Sequence, residues 1–521
     1  RHDALSKSIM TDNSNPAFRQ ITSSSALTIG DLLCVHAKLR PQSIAIVDGD
    51  RELSYALFNE RVNRLANVLA GLGICHGDRV AILSENRAEY LELAFAAAKL
   101  GIIFCALNWR LVGPELEHCI QLTAPKIALV SPRFEAQLAT VDHGLEEIIV
   151  LGQAYEDLLN RASDHEPGVD VQPEDGLVII YTSGTTGLPK AALISHRAEL
   201  ARLQLHCIDF ALAPGDTFVA WPPMFHMAST DQAMQVLCIG GKVMIVDGFV
   251  AEQLVDCIEA GPMWWLVLIP GMIDEIAAAV KHRNAKPKGI KLIGAMADLV
   301  PRHQIAEITS LFQAPYANTF GSTETGIPPA SAGSIPIGLV PDTLSKRQNS
   351  MCDVRLVDAD DNEVANGMPG EAVVRGPTMF SGYWNAPATN EADFRGGWFH
   401  MGDAFVRNAD GTLDFVDRVK YLIKSGGENI YPAEIERVLL ADERIDDAVV
   451  VRKPDERWGE VPVAFVAANN PSLTADVLSL MCRNSLAGYK RPKDFRFVAF
   501  EDFPRSTTGK IQRHEVEKWL L

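Results

Sequence analysis

A loop rich in hydroxyl groups and glycine lies near the middle of the chain. It reads YTSGTTGLPKAALISH, Tyr181 to His196, and follows the apolar stretch Leu177 to Ile180. Hydroxyl groups and glycine N–H groups can surround an anion, and Lys190 adds a positive charge. The run is not a Walker A loop, because Pro189 occupies the position of the second glycine and Ala191 follows the lysine. The pattern therefore predicts a different kind of phosphate site between a strand and a helix, and a polar turn without a ligand is the alternative.

A second stretch, NTFGSTETG, runs from Asn318 to Gly326. It places a hydroxyl group, Thr323, beside a carboxylate, Glu324. This pair suits Mg²⁺ next to a phosphate oxygen. Phe320 could present its ring to a base. An ordinary turn with a capping role is the alternative for this stretch taken alone.

Two more stretches of this kind lie nearer the C-terminus. In the segment from Trp398 to Glu436, Asp403 could bind both hydroxyls of a ribose, with Arg418 in support, and KSGGEN is a flexible glycine turn. The run PRSTTGKIQR places Lys510 on an exposed loop. A single surface lysine is usually only solvated. This last stretch therefore carries a prediction only together with the other three.

Composition narrows the class of protein. A chain of 521 residues is too long for one ordinary core, so two or more domains are expected. The net charge of −18 and the pI near 5.2 argue against nucleic acid as a partner. Nine cysteines without a C-x-x-C pair favour free thiols in a reducing compartment and no metal site. The apolar run Met263 to Ile269 is far shorter than the roughly 20 residues of a membrane span, so we expect a buried strand and a cytoplasmic protein.

The elements that must position these residues follow from the hydrophobic pattern. A helix is predicted from Tyr55, with Ser54 as its cap. Apolar runs alternate with helical patterns up to about residue 350, which predicts parallel sheets covered by helices. These runs are Val80–Leu83, Ile102–Leu107, Ile127–Val130, Ile148–Leu151, Phe218–Trp221, Val243–Val246, Leu266–Ile269 and Leu292–Ile293. Beyond residue 350 the alternation of polar and apolar residues predicts antiparallel strands, and the tail after Asp417 is long enough for a separate domain.

Taken together, the four stretches resemble the adenylate-forming (ANL) superfamily, which includes acyl-CoA synthetases, stand-alone adenylation enzymes of peptide synthesis and firefly-type luciferases. The resemblance runs from about Phe58 to Arg513, with the motifs in the family's order and spacing. It implies an α/β fold: a large N-terminal domain of helix-covered sheets plus a distorted β-barrel subdomain, followed by a small mobile α+β C-terminal domain. The implied boundaries are a disordered or tag-derived N-terminus at 1–25, an ATP- and acyl-binding domain at 26–417 and the mobile domain at 418–521.

The resemblance also implies the roles of the nucleotide-site residues. The phosphate loop would consist of Thr182, Ser183, Gly184, Thr185, Thr186 and Lys190. Phe320 stands where the family usually has a tyrosine that stacks on adenine, and Gly321 and Ser322 follow it. Thr323 would contact the α-phosphate and Glu324 would hold Mg²⁺. Asp403 and Arg418 would bind the ribose.

For the C-terminal domain, the resemblance implies a catalytic lysine and a hinge. Lys510 would reach into the active site, where a cation stabilises the charge that builds as a carboxylate attacks a phosphate. Lys420 would be the hinge about which the domain rotates after adenylation. The turn Ser425, Gly426 and Gly427 would then line the tunnel for a pantetheine thiol, since glycine lets backbone pass close to a ligand.

The stretch WPPMFHMAST, Trp221 to Thr230, resembles the family segment that enters the acyl pocket. His226 follows the phenylalanine where amino-acid-activating members have an aspartate, so an α-amino acid is disfavoured. A buried histidine without a catalytic role is the alternative for His226. The other pocket candidates are apolar or small, namely Met227, Ala228, Gly294, Ala295, Met296 and Ile327. They predict a mostly apolar acid of aryl, cyclic or medium-chain aliphatic type.

The sequence departs from the family pattern between Gly326 and Val354. This segment lacks the second glycine of the family's G-x-x-G stretch, near Lys346 and Arg347. This basic pair could face CoA phosphates, but we expect a solvated loop.

The predicted reaction uses ATP, Mg²⁺ and coenzyme A. The acid becomes acyl-AMP with release of pyrophosphate, and its thioester with CoA then forms with release of AMP. An acyl-AMP ligase that loads the pantetheine of a carrier protein is the alternative, because it shares every residue named above. A degenerate scaffold protein and a luciferase-like oxygenase are the more distant alternatives. The acid, the pathway and the oligomeric state, a homodimer included, are left open.

Overall fold

Parallel sheets and helices alternate through most of the chain, as the hydrophobic pattern predicts. The computed structural model describes residues 16–111, 113–182, 188–269, 271–425, 428–505 and 511–520. The chain forms two compact units. The larger comprises the chain up to Asp353 together with Arg375–Ala392, and the smaller comprises Val354–Val374 and Asp393–Leu521. The division at residue 417, drawn from the family resemblance, stays a prediction, as does the mobility of the C-terminal domain.

The larger unit carries most of the helices. They are α1 Pro16–Ser25, α2 Ile29–Leu39, α3 Tyr55–Gly71, α4 Ala88–Leu100, α5 Gly113–Thr123, α6 Glu135–Leu138, α7 Gln153–Arg161, α8 His196–Asp209, α9 Met227–Cys238, α10 Ala251–Ala260, α11 Ile273–Arg283, α12 Arg302–Phe312 and α13 Pro387–Asp393. Short 3₁₀ turns occupy Pro132–Phe134 and Ala297–Leu299. As predicted, α3 begins after Ser54, whose side chain accepts a hydrogen bond from the Leu57 N–H.

Its strands form three mainly parallel sheets and one hairpin. They are β1 Ile44–Asp48, β2 Arg51–Ser54, β3 Arg79–Leu83, β4 Ile103–Ala106, β5 Ile127–Val130, β6 Glu147–Val150, β7 Gly176–Thr182, β8 Lys190–Ser195, β9 Thr217–Ala220, β10 Lys242–Ile245, β11 Met263–Leu266, β12 Ile290–Ile293, β13 Tyr316–Ala317, β14 Gly321–Ser322, β15 Gly326–Pro329 and β16 Ser334–Ile335. The sheet orders are β6-β5-β3-β4-β7-β8, β2-β1-β10-β9 and β11-β12-β13-β16, with β14-β15 as the hairpin. In each sheet the inner pairs are parallel and an edge strand, β8, β2 or β16, is antiparallel.

Helix α4 is buried on all sides, which is unusual for a helix that carries three charged residues. Each charge has a partner. Glu89 pairs with Arg51 and Arg87. Glu92 pairs with Arg61 at 2.6 Å, and Lys99 pairs with Glu166 at 2.7 Å. Partnered charges of this kind avoid the cost of burying an isolated ion.

The smaller unit is α+β, as the family resemblance implies. Its strands are β17 Asp353–Val357, β18 Pro369–Arg375, β19 Phe399–Arg407, β20 Leu413–Arg418, β21 Ile423–Ser425, β22 Glu428–Ile430, β23 Ile445–Asp455, β24 Gly459–Ala468 and β25 Asp494–Phe497. The orders are β17-β18-β19-β20, which is the antiparallel sheet predicted beyond residue 350, and β22-β21-β24-β23 with β25 beside β24. Its helices are α14 Pro432–Leu439, α15 Ala475–Ser485 and α16 Arg513–Glu517, with 3₁₀ turns at Arg395–Gly397, Val419–Tyr421, Gly488–Lys490, Phe500–Asp502 and Lys518–Leu520. Apolar clusters lie on both faces of the β23–β24 pair and form the core.

Three local expectations are corrected. The glycine-rich loop after Tyr181 connects two antiparallel strands, β7 and β8, and not a strand and a helix, because α8 begins only at His196. Strand β11 ends at Leu266 and does not continue to Ile269. Pro16–Ser25 is helical, although it belongs to the segment expected to be disordered. Within the described ranges, the chain has no helix with the length and apolarity that crossing a membrane requires.

One buried histidine in α8 makes the larger unit sensitive to acid. His206 packs edge-on against Trp264, with ring centroids 5.1 Å apart, and its Nδ1 contacts the Gln235 side chain. Burial lowers the pKa of His206 to about 4. Since an unfolded histidine titrates near pH 6.5, the unfolded chain takes up the proton first as the pH falls. The stabilising contribution of neutral His206 is therefore complete above pH 6.5 and is lost toward pH 4.

We expect the larger unit to lose about 1–2 kcal/mol between pH 7 and pH 5 through His206 alone. The variant His206→Asn retains a side-chain N–H for Gln235 but does not titrate. It should be less stable than the parent at pH 7 and should lose less stability on acidification. Urea unfolding followed by tryptophan fluorescence at both pH values measures this difference. An identical pH dependence for the parent and the variant would contradict it.

Candidate active site

Lys190 is positioned by the antiparallel edge of the six-stranded sheet. It begins β8 and lies opposite Thr182, the last residue of β7. A second segment runs along the other side of β8, where the Trp384 N–H donates to the Ala191 carbonyl at 2.8 Å. This pairing places the Tyr383 ring against the lysine, with Nζ 3.7 Å from the ring centroid. A cation at this distance from an aromatic face is attracted by the ring quadrupole.

Tyr383 also contacts Glu324. The tyrosine hydroxyl donates a hydrogen bond of 2.8 Å to Glu324 Oε1, and the Phe380 N–H donates to the Glu324 carbonyl at 2.9 Å. Lys190 and Glu324, which were predicted from separate stretches, are thus brought together through one tyrosine. Tyr383 was not predicted from the sequence. An aromatic residue directly after Gly382 was the only local signal.

Thr323 and Glu324 lie in the tight hairpin between β14 and β15. At Gly321 a Cβ atom would lie 2.1 Å from the Gly326 carbonyl oxygen, so the close approach of the two strands requires glycine. The Thr325 hydroxyl accepts from the Ser322 N–H at 3.1 Å and donates to the Pro328 carbonyl. These contacts hold the hairpin in one conformation. The side chains of Thr323 and Glu324, which are predicted to bind the nucleotide and Mg²⁺, therefore project from a hydrogen-bonded turn.

The hairpin carries the carboxylate that is predicted to hold Mg²⁺. The described residues contain no group of three or more His, Cys, Asp or Glu side chains that could hold a metal. Mg²⁺ typically keeps several waters and binds one or two carboxylates together with substrate phosphates. Glu324 is partly exposed, and its Oε1 accepts the hydrogen bond from the Tyr383 hydroxyl. A single carboxylate next to the Thr323 hydroxyl matches that requirement.

The predicted pocket residues come from two segments of the larger unit. His226 precedes α9, whose first turn contains Met227 and Ala228, and all three are partly exposed. The segment from Gly294 to Met296 has left-handed backbone at both ends, with φ of 76° and 50°. The Trp265 indole N–H donates to the Gly294 carbonyl and the Tyr316 hydroxyl donates to the Ala295 carbonyl. Its conformation is therefore fixed by buried aromatic side chains.

The remaining residues of this group lie in the β14–β15 region. Ile327 is buried in β15. Phe320 is partly exposed, and its N–H donates to Ser331 Oγ at 2.9 Å.

The expectation of a solvated loop at Lys346 and Arg347 is wrong for the lysine. The Lys346 side chain is 0% exposed, and its Nζ lies 2.6 Å from Asp298 Oδ2. The ammonium also donates to Asn318 Oδ1. Arg347 is exposed, as expected. Because the Lys346 ammonium is buried next to Asp298 and Asn318, it is paired with them and not solvated. The polar sequence around it does not indicate this pairing.

In the smaller unit, Asp403 and Arg418 are cross-strand partners in β19 and β20. The arginine Nε lies 2.9 Å from Asp403 Oδ1; the carboxylate is 3% exposed and the guanidinium 49% exposed. Lys420 lies in the 3₁₀ turn after β20, with its Nζ 4.7 Å from the Tyr421 ring centroid. Ser425 is buried at the end of β21.

Several predicted site residues lie outside the described residues. They are Ser183, Gly184, Thr185 and Thr186 of the phosphate loop, Gly426 and Gly427 of the tunnel turn, and the catalytic candidate Lys510. Their roles stay predictions.

Comparison with known proteins shows which family the chain belongs to. The family model described as AMP-binding enzyme matches residues 34–384, and that of the AMP-binding enzyme C-terminal domain matches residues 434–510. An indoleacetate–CoA ligase of Aromatoleum aromaticum is 35% identical, over 93% of this chain and 96% of its own. A fatty acid–[acyl-carrier-protein] ligase, ScoC, of Streptomyces coeruleorubidus is 31% identical, over 92% and 94%. The structure of o-succinylbenzoate CoA synthetase from Bacillus subtilis, in complex with its acyl-adenylate intermediate, has a TM-score of 0.80 at 26% identity, over 93% and 97%.

The chain belongs to the AMP-binding enzyme family, in the acyl-CoA synthetase branch of the ANL superfamily. It is an AMP-forming acid–thiol ligase. The resemblance stated from the four sequence motifs is confirmed, and so is the α/β fold class.

The Gly294 backbone provides a test of the pocket wall. A Cβ atom at this position would lie 2.2 Å from the Tyr316 ring, whereas one at Gly271, with a similar φ of 87°, would meet nothing within 4 Å. Alanine at either position carries the same backbone strain, of about 1 kcal/mol. Only Gly294→Ala forces the wall to move. We expect it to raise the KM for the acid at least tenfold more than Gly271→Ala does, by steady-state kinetics, and equal effects would contradict this.

Proposed function

We propose that the enzyme activates a mostly apolar monocarboxylic acid, of aryl, cyclic or medium-chain aliphatic type, and transfers the acyl group to coenzyme A. The arrangement of Lys190, Tyr383 and Glu324 carries the proposal, because it gathers a cation and a magnesium-binding carboxylate beside the predicted phosphate loop. ATP supplies the adenylyl group. Two of the compared proteins are named for acids that carry aromatic rings, which supports the aryl class.

The pocket chemistry supports a substrate with one carboxylate. The predicted pocket segments are Gly294–Met296 and the first turn of α9, and both carry apolar or small side chains. The Gly294 and Ala295 carbonyls already accept hydrogen bonds from within the protein. The buried cation Lys346 is paired with Asp298, which follows Met296 by two residues. A second carboxylate on the substrate would have to compete with that ion pair and would lose its hydration.

In the first half-reaction, a carboxylate oxygen of the acid attacks the α-phosphorus of ATP. The bond between that phosphorus and the pyrophosphate oxygen breaks, and pyrophosphate leaves. Lys190 and the phosphate loop would hold the β- and γ-phosphates, and Lys510 would stabilise the charge that develops on the attacking and bridging oxygens. Mg²⁺, held by Glu324, would neutralise phosphate charge.

In the second half-reaction, the CoA sulfur attacks the acyl carbonyl carbon and the bond to AMP breaks. The turn at Ser425–Gly427 would line the path of the pantetheine, and Lys420 would be the hinge. The carrier-protein alternative differs only in the acceptor. The relative ScoC, named as an acyl-carrier-protein ligase, keeps that alternative in consideration.

A substrate panel tests the proposal directly. Enzyme, ATP and Mg²⁺ are incubated with aryl, alicyclic and aliphatic acids, with CoA, with a phosphopantetheinylated carrier protein or with neither, and products are identified by mass. We expect acyl-CoA from one class of apolar acid and no product from α-amino acids. Acyl-AMP that reacts only with the carrier protein would replace the acceptor, and the absence of adenylate from every acid would contradict the proposal.

Lys510 should matter for one half-reaction only. Lys510→Ala is expected to slow adenylation about 10²–10³-fold, in line with the loss of other electrostatic stabilisers. Transfer of the acyl group from synthetic acyl-AMP to CoA should change little. Pyrophosphate exchange and single-turnover thioester formation separate the two steps. Lys518→Ala, at an exposed lysine of the same unit, serves as the matched control, and comparable losses in both half-reactions would refute this role.

A further inference from the structure

A buried ionic cluster lies directly behind the hairpin that carries Thr323 and Glu324. At its centre is Arg202 of α8, whose side chain is 0% exposed. Its Nη1 lies 2.8 Å from Asp231 Oδ2 on α9 and 3.8 Å from Glu199 Oε1 on its own helix. Asp231 lies one helical turn after Met227, so the cluster is anchored in the same helix as the predicted acyl pocket.

The cluster has two carboxylates and one guanidinium. Glu199 Oε1 and Asp231 Oδ1 are buried and receive no hydrogen bond from the described residues. One proton held between the two carboxyl groups would satisfy both oxygens and leave the triad neutral. Burial, with the charge of Asp231 adding to it, raises the pKa of Glu199 to about 8, and burial also raises the pKa of Asp231. Cluster neutrality at pH 7 therefore agrees with the geometry.

The other nitrogens of Arg202 contact the two segments that meet at the active site. Nη2 donates to the Thr323 carbonyl at 2.9 Å, and Nε donates to the Thr378 carbonyl at 3.2 Å. The first carbonyl belongs to the Glu324 hairpin, and the second lies five residues before Tyr383. A Cβ atom at Gly326 would lie 3.0 Å from the Arg202 Nε, so the hairpin packs closely on this side chain. A planar, fixed fork of donors can hold both segments in register, whereas a lysine ammonium cannot match that geometry.

We propose that Arg202, held in place by Asp231 and Glu199, is a positioning residue for adenylation: it fixes the Thr323–Glu324 hairpin relative to the segment of Tyr383 and ties both to the pocket helix α9. The inference rests on the proposed function of Glu324 and Thr323, and extends it to residues that touch no substrate.

The first variant, Arg202→Lys, retains the charge that balances the cluster but loses the fork. We expect kcat for adenylation to fall about 10- to 100-fold, since small misplacements of reacting groups have effects of this size, and the Mg²⁺ concentration for half-maximal rate to rise. The KM for the acid should stay within about twofold. Acyl transfer from synthetic acyl-AMP to CoA should be nearly unchanged. A purely structural role would not produce this division between the half-reactions.

Two further variants test the shared proton and guard against misfolding. Glu199→Gln replaces a protonated carboxyl by an amide of the same shape, so adenylation should be near the parent rate. Arg202→Met with Asp231→Asn removes the ion pair without leaving an unbalanced charge. This double variant should fold, as judged by its thermal unfolding midpoint, and should be as impaired in adenylation as Arg202→Lys.

The control is Arg283→Lys, the same substitution at an arginine that also contacts several carboxylates, Glu252, Asp256 and Glu259, but on the surface of α10 and α11. It should leave all rates unchanged. Amide hydrogen exchange gives a readout that does not need an active enzyme. Exchange in residues 320–326 and 378–384 should accelerate in Arg202→Lys and not in the control.

The proposed function and the positioning role of Arg202 can fail separately. A parent enzyme that forms no adenylate contradicts the proposed function, and the exchange data then decide the role of Arg202 alone. If the parent enzyme is active and Arg202→Lys has the same kcat, Mg²⁺ dependence and hydrogen exchange as the parent, the positioning role is overturned. Equal losses in both half-reactions would overturn it as well.

Discussion

The proposed active site must hold an ammonium group, that of Lys190, near a carboxylate, that of Glu324. Tyr383 meets this constraint, because its ring faces the Lys190 ammonium while its hydroxyl donates to Glu324. The cation–π contact and the phenol hydrogen bond thus connect the two charged side chains through a single residue. A cation and a carboxylate therefore lie near one another, as the proposed binding of a magnesium-bound phosphate chain requires.

Buried charged side chains of the larger unit form ion pairs with side chains of opposite charge. Helix α4 pairs its three charged residues with side chains from neighbouring elements, and Arg202 satisfies two backbone carbonyls as well as a carboxylate. Removing one partner of such a pair leaves an uncompensated charge in a medium of low dielectric constant. The contacts of Arg202 hold α9 and the Glu324 hairpin in position. The interactions that stabilise the larger unit therefore also position the predicted site residues.

Much of the fold could be predicted from short patterns. The alternation of apolar runs and helical periodicity predicted parallel sheets, and the change after residue 350 predicted antiparallel strands, because these signals are local and follow side-chain direction. The end of β11 and the hairpin around the phosphate loop were not predicted. Strand β11 ends where its pairing with β12 ends. Whether a segment such as β8 forms an antiparallel edge strand depends on its neighbour in the sheet, which the segment's own sequence does not encode.

The sequence by itself determined the family and the reaction class, because its four motifs occur in the family's order and spacing. Only the tertiary structure decided how they are connected. Tyr383 lies 59 residues from Glu324 along the chain, Arg202 contacts a carbonyl 121 residues away, and Lys346 is buried against Asp298 although its sequence reads as a polar loop. Each contact depends on burial and on the approach of distant segments, which the packing of the whole unit sets and no local pattern records.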